Sequence, residues 1–283
     1  MTKKNPKPPE APAPPEGLTR EENKSVKERK RLRAAVVYEI IRHEGEAELA
    51  RKFTALWWSA LAAGISIGFS VLSQALLEAR LHGLPGASVI ADLGYCVGFL
   101  IVILARQQLF TENTLTAVLP IMVRKDWSGI WDVLRLWGIV LGGNLVGCFL
   151  FAAFLAYSGA FSQETQSAIT EIGRHLMANT PSEMFVKGIM AGWLIAALVW
   201  MLPSAESTEI FIITLITYII ALGDFTHIIA GSVEAIYMWL VGEASLGQVA
   251  GGFFLPTLLG NVAGGTVLFA VVSYAQVREE LEG

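Results

Sequence analysis

IFIITLITYIIALGDFTHIIAGSVEAIYMWLV, residues 210–241, holds two apolar runs with Asp224-Phe225-Thr226-His227 between them. Ile210–Gly223 is 14 residues long, too short to cross a hydrocarbon core about 30 Å thick, and Ile228–Val241 is no longer. One interrupted span accounts for the pair better than two complete ones. Outward from it, five further apolar runs read as whole spans: Phe53–Leu77, Ala87–Ala105, Val133–Tyr157, Met184–Leu202 and Ala250–Ala275. The chain therefore reads as an all-α polytopic membrane protein with six transmembrane helices over residues 53–277.

Composition agrees. Hydrophobic residues make up 53% of the 283-residue chain and charged residues 16%, against about 25% charged in ordinary soluble domains. Residues 1–33 are Pro-rich and charged, with little to bury, and read as a disordered tail. Its basic cluster, Lys27, Arg29, Lys30, Arg31 and Arg33, reads as a topogenic flank, with no nucleic-acid partner expected. Residues 34–52 place Ala34, Val37, Tyr38 and Ile41 at helical spacing against Glu39, Arg42 and Glu46, the pattern of an amphipathic helix on the membrane face or under the bundle. Cys96 and Cys148 sit in apolar runs at no metal-ligand spacing, so neither a disulfide framework nor a metal or other cofactor is expected. No signal-peptide pattern opens the chain.

Lys/Arg placement orients it. Residues 1–52 carry 13 of the 21 Lys and Arg, and Arg124-Lys125 fall in the loop between spans two and three. Both termini, including residues 278–283, are expected in the cytoplasm.

Two local matches suggest a duplication. Leu109-Phe110-Thr111-Glu112 follows span two as Asp224-Phe225-Thr226-His227 interrupts span five, and Gly143-Asn144 and Gly260-Asn261 follow in spans three and six. A unit of three spans must insert its second copy upside down, and inverted repeats with a broken helix in each half place a site where the breaks meet. Thr111 or Asn113, and Thr226, read as N-caps of the half-helices after the breaks. Thr111 is then the pseudo-symmetric partner of Thr226, and two half-helix N-termini aimed at the centre favour an anion.

His227 carries the sharpest chemical signal, because an ionisable side chain within a membrane span costs roughly 2.5–3.5 kcal/mol on insertion scales. Its near-neutral titration suits donating a proton or a hydrogen bond to a weak-acid anion; a core histidine satisfied by a neighbouring hydroxyl is the bland alternative. Leu109, Phe110 and Phe225 are candidates for apolar constrictions, with packing an equal account of each. Arg106, Glu112, Asp224 and Glu234 put four charges near the breaks, and at least one ion pair is expected among them, with Arg106 and either Glu234 or Glu112 as the candidate partners. Gly142, Gly143, Gly147, Gly260, Gly264 and Gly265 are read as close-packing positions.

Leu109-Phe110-Thr111, Asp224-Phe225-Thr226-His227 and the Gly-Asn pairs resemble the formate/nitrite transporter family. The likeness spans about residues 35–277. ARQQLFTENTLTAVLP (105–120), NTPSEMF (179–185) and IALGDFTHIIAGSVE (220–234) resemble its YfdC-type bacterial branch more closely. The resemblance implies an aquaporin-like protomer in the bacterial inner membrane, a homopentamer with one path per subunit, and a central histidine at His227. It also implies path roles for Thr111, Leu109 and Phe110. Departures stand at Arg106-Gln107-Gln108, where members typically have a small, Gly-containing acidic run, and at Glu112, where a small residue is common. Thr226 replaces the glutamate of formate channels, and Gly192 stands where a pore-facing asparagine is typical. The permeant expected is thus a small monovalent anion or its conjugate weak acid, with the lipid bilayer as surroundings and no enzymatic role. A non-conducting scaffold or sensor recruiting partners through the basic tail is the alternative. An intramembrane enzyme using His227 with Glu112 or Glu234 lacks a nucleophile motif or metal triad.

Overall fold

The computed structural model describes residues 32–124 and 129–282. The tail read over residues 1–33 lies, apart from Leu32 and Arg33, outside the described residues, as does Lys125. Regular structure among the described residues is helical: α1 (Ala34–Leu49), α2 (Phe53–Leu81), α3 (Ala87–Leu104), α4 (Phe110–Thr116), α5 (Leu119–Arg124), α6 (Ile130–Tyr157), α7 (Gln163–Met177), α8 (Pro181–Met201), α9 (Glu209–Leu222), α10 (Ile228–Leu240) and a last rod, α11 (Gln248–Arg278). Among the described residues five helices are long and apolar enough to cross a membrane: α2, α3, α6, α8 with the turn after it, and α11. The apolar α9 and α10 are 14 and 13 residues. The outer faces of the helices leave large apolar side chains bare, Trp131 of α6 and Phe211 of α9 each 76% exposed, a surface that suits lipid or a neighbouring subunit rather than water.

The amphipathic α1 buries one face against protein. Tyr38 is enclosed beside Trp200 and Tyr274, ring centroids 6.3 and 6.1 Å away, and its hydroxyl donates to the Leu119 carbonyl. Burial pushes the Tyr38 phenol up from its ordinary range. Arg42 on the outer face holds Glu39 and Glu46 at 2.8 and 2.7 Å.

Two starts lie in sequence signals that the span limits passed over. Thr180-Pro181-Ser182-Glu183 is a complete capping box with proline at the first position, so α8 begins three residues before Met184. The loop 158–183 contains α7, which the sequence reading did not anticipate. Its signs are Ser162, which caps the Thr165 N–H, and the helical spacing of Ala168, Ile169, Ile172 and Leu176.

The spans cross at glycines. A Cβ on Gly64 of α2 would overlap the Asn144 carbonyl of α6, and one on Gly147 would overlap the Leu61 carbonyl. The α8–α11 crossing repeats this: a Cβ on Gly192 would overlap the Asn261 carbonyl, and one on Gly264 the Ile189 carbonyl. Gly192 therefore fills no path position; it is where two backbones touch, and the expectation that it replaces a pore-facing side chain is corrected. Gly142 meets only a side chain at van der Waals distance. Gly64→Ala is expected to push α2 from α6 and to lower stability by about 1–3 kcal/mol, read as a drop in thermal midpoint of the detergent-solubilised protein.

Candidate functional site

Both polar interruptions begin with the same helix stop. After α3, the Arg106 N–H donates to the Ile103 carbonyl and the Gln107 N–H to Val102, at 3.0 and 2.9 Å; after α9, Asp224 donates to Ala221 and Phe225 to Ile220, both at 3.0 Å. These are Schellman pairs, whose pivot takes a left-handed conformation and is usually glycine. Here the pivots are Arg106 (φ 52) and Asp224 (φ 50). A side chain there costs on the order of 1–2 kcal/mol, less for Asp, which tolerates this region.

The restart after each stop is tied by an asparagine from another span. Asn144 of α6 accepts from the Phe110 N–H at 2.9 Å and donates to the carbonyls of Ala60 and Gln108 at 2.8 and 2.9 Å. Asn261 of α11 accepts from the Ile228 N–H at 2.8 Å and donates to Gly188 and Thr226, both at 2.9 Å. Each amide satisfies a helix-start donor and one carbonyl of the break, as backbone at membrane depth requires, and its third bond goes to a carbonyl of a neighbouring span.

This register corrects the expected caps and the expected pairing. The residues at the cap positions are Leu109 and His227, not Thr111, Asn113 or Thr226. Arg106 corresponds to Asp224, Gln108 to Thr226 and Leu109 to His227 by their bonds, so Thr111 is not the counterpart of Thr226. The Thr226 hydroxyl donates to the Met184 carbonyl at 2.7 Å. The Phe-Thr match that suggested the alignment is three residues out of step, whereas the Gly-Asn match is in step.

Thr111 instead meets His227 itself. Thr111 Oγ1 lies 2.8 Å from His227 Nε2, both side chains about 1% exposed. His227 Nδ1 accepts from the N–H groups of Ile229 and Ala230 at 3.3 and 3.2 Å. The tautomer that satisfies both sides carries its proton on Nε2 and donates it to Thr111. The Thr111 hydroxyl hydrogen then has no acceptor among its described contacts. Phe99 of α3, which the sequence reading missed, stands edge-on to the imidazole at 5.0 Å; nothing marks it within its apolar run. Leu109 and Phe110 are buried beside this centre, Phe110 edge-on to Trp137 at 5.7 Å.

A cavity of about 460 Å³ reaches His227 from the Asp224 side, lined in part by Phe225, Thr226, Gly231 and Glu234. The His175 ring stands 3.1 Å from the Asp224 carboxylate at its rim. At the other break Arg106 is exposed and its charged neighbour is Glu44 of α1. Burial pushes the Glu44 carboxyl up, with Arg106 opposing and Glu48 adding to the rise. Glu112 faces Glu44 and Glu48, and its Oε1, like that of Gln107, is buried without a hydrogen-bond partner. Arg106 thus pairs with neither Glu112 nor Glu234, and the expected ion pair is corrected: Glu234 belongs to the opposite break. Cys96 and Cys148 are buried free thiols facing the Thr214 and Ile229 carbonyls, as packing residues would.

A sequence model of the formate/nitrite transporter family matches residues 35–275. The chain is 49% identical over 249 residues to the inner membrane protein YfdC of Escherichia coli, covering 88% of this chain and 80% of that one. It is 25% identical over 221 residues to the uncharacterized transporter YwcJ of Bacillus subtilis, covering 75% and 85%. Among solved structures, a pentameric formate channel with formate bound superposes with a TM-score of 0.70 at 21% identity, covering 80% of this chain and 98% of that one, a likeness of fold.

Proposed function

The chain belongs to the formate/nitrite transporter family, and on that premise we propose that it passes a small monovalent anion or its conjugate weak acid across the bacterial inner membrane through the Thr111–His227 pair. The observation that carries the reading is the 2.8 Å contact between these two side chains, brought together from separate breaks with a cavity leading to them. Two backbone N–H groups polarise Nδ1, Nε2–H donates to Thr111, and the threonine hydrogen is left to donate to a permeant oxygen. Such a chain stabilises negative charge without placing a full cation in the path. Leu109, Phe110 and Phe225 are the apolar constrictions that bar hydrated ions.

α9 and α10 count together as the interrupted fifth span, which brings the number of spans to six. Two inverted units, α2–α3–α6 and α8–α9–α11 with α4 and α10 as their re-entrant halves, are supported by the matched asparagine ties and glycine crossings. A homopentamer is supported by the likeness to a pentameric channel and by the bare apolar faces; cytoplasmic termini are supported by the Lys/Arg bias. Family membership favours this reading over a tail-dependent scaffold.

The test is flux of formate, nitrite, acetate and hydrosulfide into proteoliposomes. Wild type is expected to pass at least one of them, and Thr111→Val, similar in shape without the hydroxyl, to pass it about ten-fold more slowly, the worth of one buried hydrogen bond. Absence of flux for every small anion, or undiminished flux in His227→Ala, would sink the mechanism.

A further inference from the structure

The cavity leading to His227 is unlike an anion-attracting funnel. Its walls carry Glu78, Asp92, Glu171, Asp224 and Glu234, with the imidazoles of His175 and His227 and no lysine or arginine. Two cations stand behind the wall without lining it: Arg174 is held by Glu243 at 2.9 Å and reaches the wall's Glu171 at 3.8 Å, and Lys187 donates to the wall's Asn179 at 2.8 Å. A permeant that stayed an anion would meet repulsion along this approach.

Glu234 differs from the other four carboxylates. It is 8% exposed where the other four are more open, it lines the cavity, and it has no hydrogen bond or ion pair among the described residues. It stands seven residues after His227 on α10, with Gly231 between them also lining the cavity, so the three occupy one helical face leading down to the Thr111–His227 pair. The titratable groups around it are Tyr95 and Asp92 of α3, Glu78 of α2, Glu171 and His175 of α7, and Asp224 at the break. The cavity has room for on the order of a dozen waters, enough for protons from bulk water to reach the carboxyl.

We propose that Glu234 is the proton-exchange group of the path, protonating a weak-acid anion in the cavity so that it meets His227 and Thr111 as the neutral acid. The O–H bond of the Glu234 carboxyl breaks as the O–H or S–H bond of the permeant acid forms, and the carboxylate regains a proton from cavity water. The substrate class is then a weak acid such as a short carboxylic acid or hydrogen sulfide, and anions of strong acids are excluded. This rests on the path proposed above.

Proteoliposomes holding an internal pH dye distinguish the two. With acetate or formate outside at pH 7.5, wild type is expected to acidify the lumen as the acid enters. Glu234→Gln is expected to enter at least about ten-fold more slowly, with the deficit shrinking at pH 5.5, where more neutral acid is already present. Glu234→Asp is expected to restore most of the rate. Wild-type flux and pH profile in Glu234→Gln would overturn the proton role alone, as would faster anion entry without lumen acidification. Absence of weak-acid flux in wild type would overturn this role and the path together. Should Glu234→Gln fail to assemble, labelling of wild type with dicyclohexylcarbodiimide, which attacks protonated carboxyls within membranes, decides: modification at Glu234 that blocks flux supports the role, and an unmodified Glu234 overturns it.

Discussion

Asn261→Ala is expected to lower stability by about 3–6 kcal/mol and to scatter the assembled protein into aggregate or subunits on size exclusion in detergent. The substitution strips one acceptor from the Ile228 N–H and two donors from the carbonyls of Gly188 and Thr226, bonds of 2.8, 2.9 and 2.9 Å among fully enclosed groups. A buried polar backbone group left without its partner costs about 1–3 kcal/mol. The same amide holds the start of α10 against α8, so its loss frees the restart that carries His227 as well. Asn144→Ala should do comparable damage at the first break, where the Phe110 N–H and the carbonyls of Ala60 and Gln108 lose the same three bonds. A thermal midpoint within about 2 °C of wild type for either variant would mean that the ties are dispensable and that the breaks are held by packing alone.

Those asparagines also mark how far the sequence could be read. The apolar runs gave the helices within a turn because hydropathy and length decide a membrane helix locally. Asp224-Phe225-Thr226-His227 exposed the second break because four such residues rarely interrupt an apolar run by chance. The cap positions were misread for a physical reason. The preference for Thr or Asn as N-cap assumes that a helix start is satisfied by its own side chain, whereas Phe110 and Ile228 donate to amides from spans distant in sequence. Nothing local at Leu109 signals a helix start. Arg106 was paired with Glu112 or Glu234 on the assumption that a charge near a break must be buried; it is exposed, and its charged neighbour comes from α1. The repeat brings Thr111 and His227 to the meeting point of the breaks but not into contact, because 116 residues separate them and no spacing rule fixes a bond between residues that far apart.

His227→Asn separates the two tasks of the imidazole. Nδ1 caps α10 by accepting from the N–H groups of its second and third residues, and Nε2 reaches Thr111. Asparagine is among the best N-cap residues, and its side-chain oxygen can take the Nδ1 bonds; its shorter arm leaves Thr111 unpaired. The variant is therefore expected to assemble with stability within about 1 kcal/mol of wild type, while flux of the permeant falls about ten- to hundred-fold, the kinetic equivalent of the 1–3 kcal/mol that a buried hydrogen-bond partner supplies. His227→Ala loses the cap too and should show the same flux defect with a further stability loss of about 1 kcal/mol. The pair of measurements, thermal midpoint and liposome flux on one preparation, is what makes the comparison sharp. If His227→Asn conducts like wild type, the imidazole is a helix cap that happens to touch Thr111, and the path must be sought elsewhere. If it conducts poorly while its midpoint holds, the ring acts on the permeant through Nε2, and a second substitution at Thr111 should add little, because the two groups work as one chain.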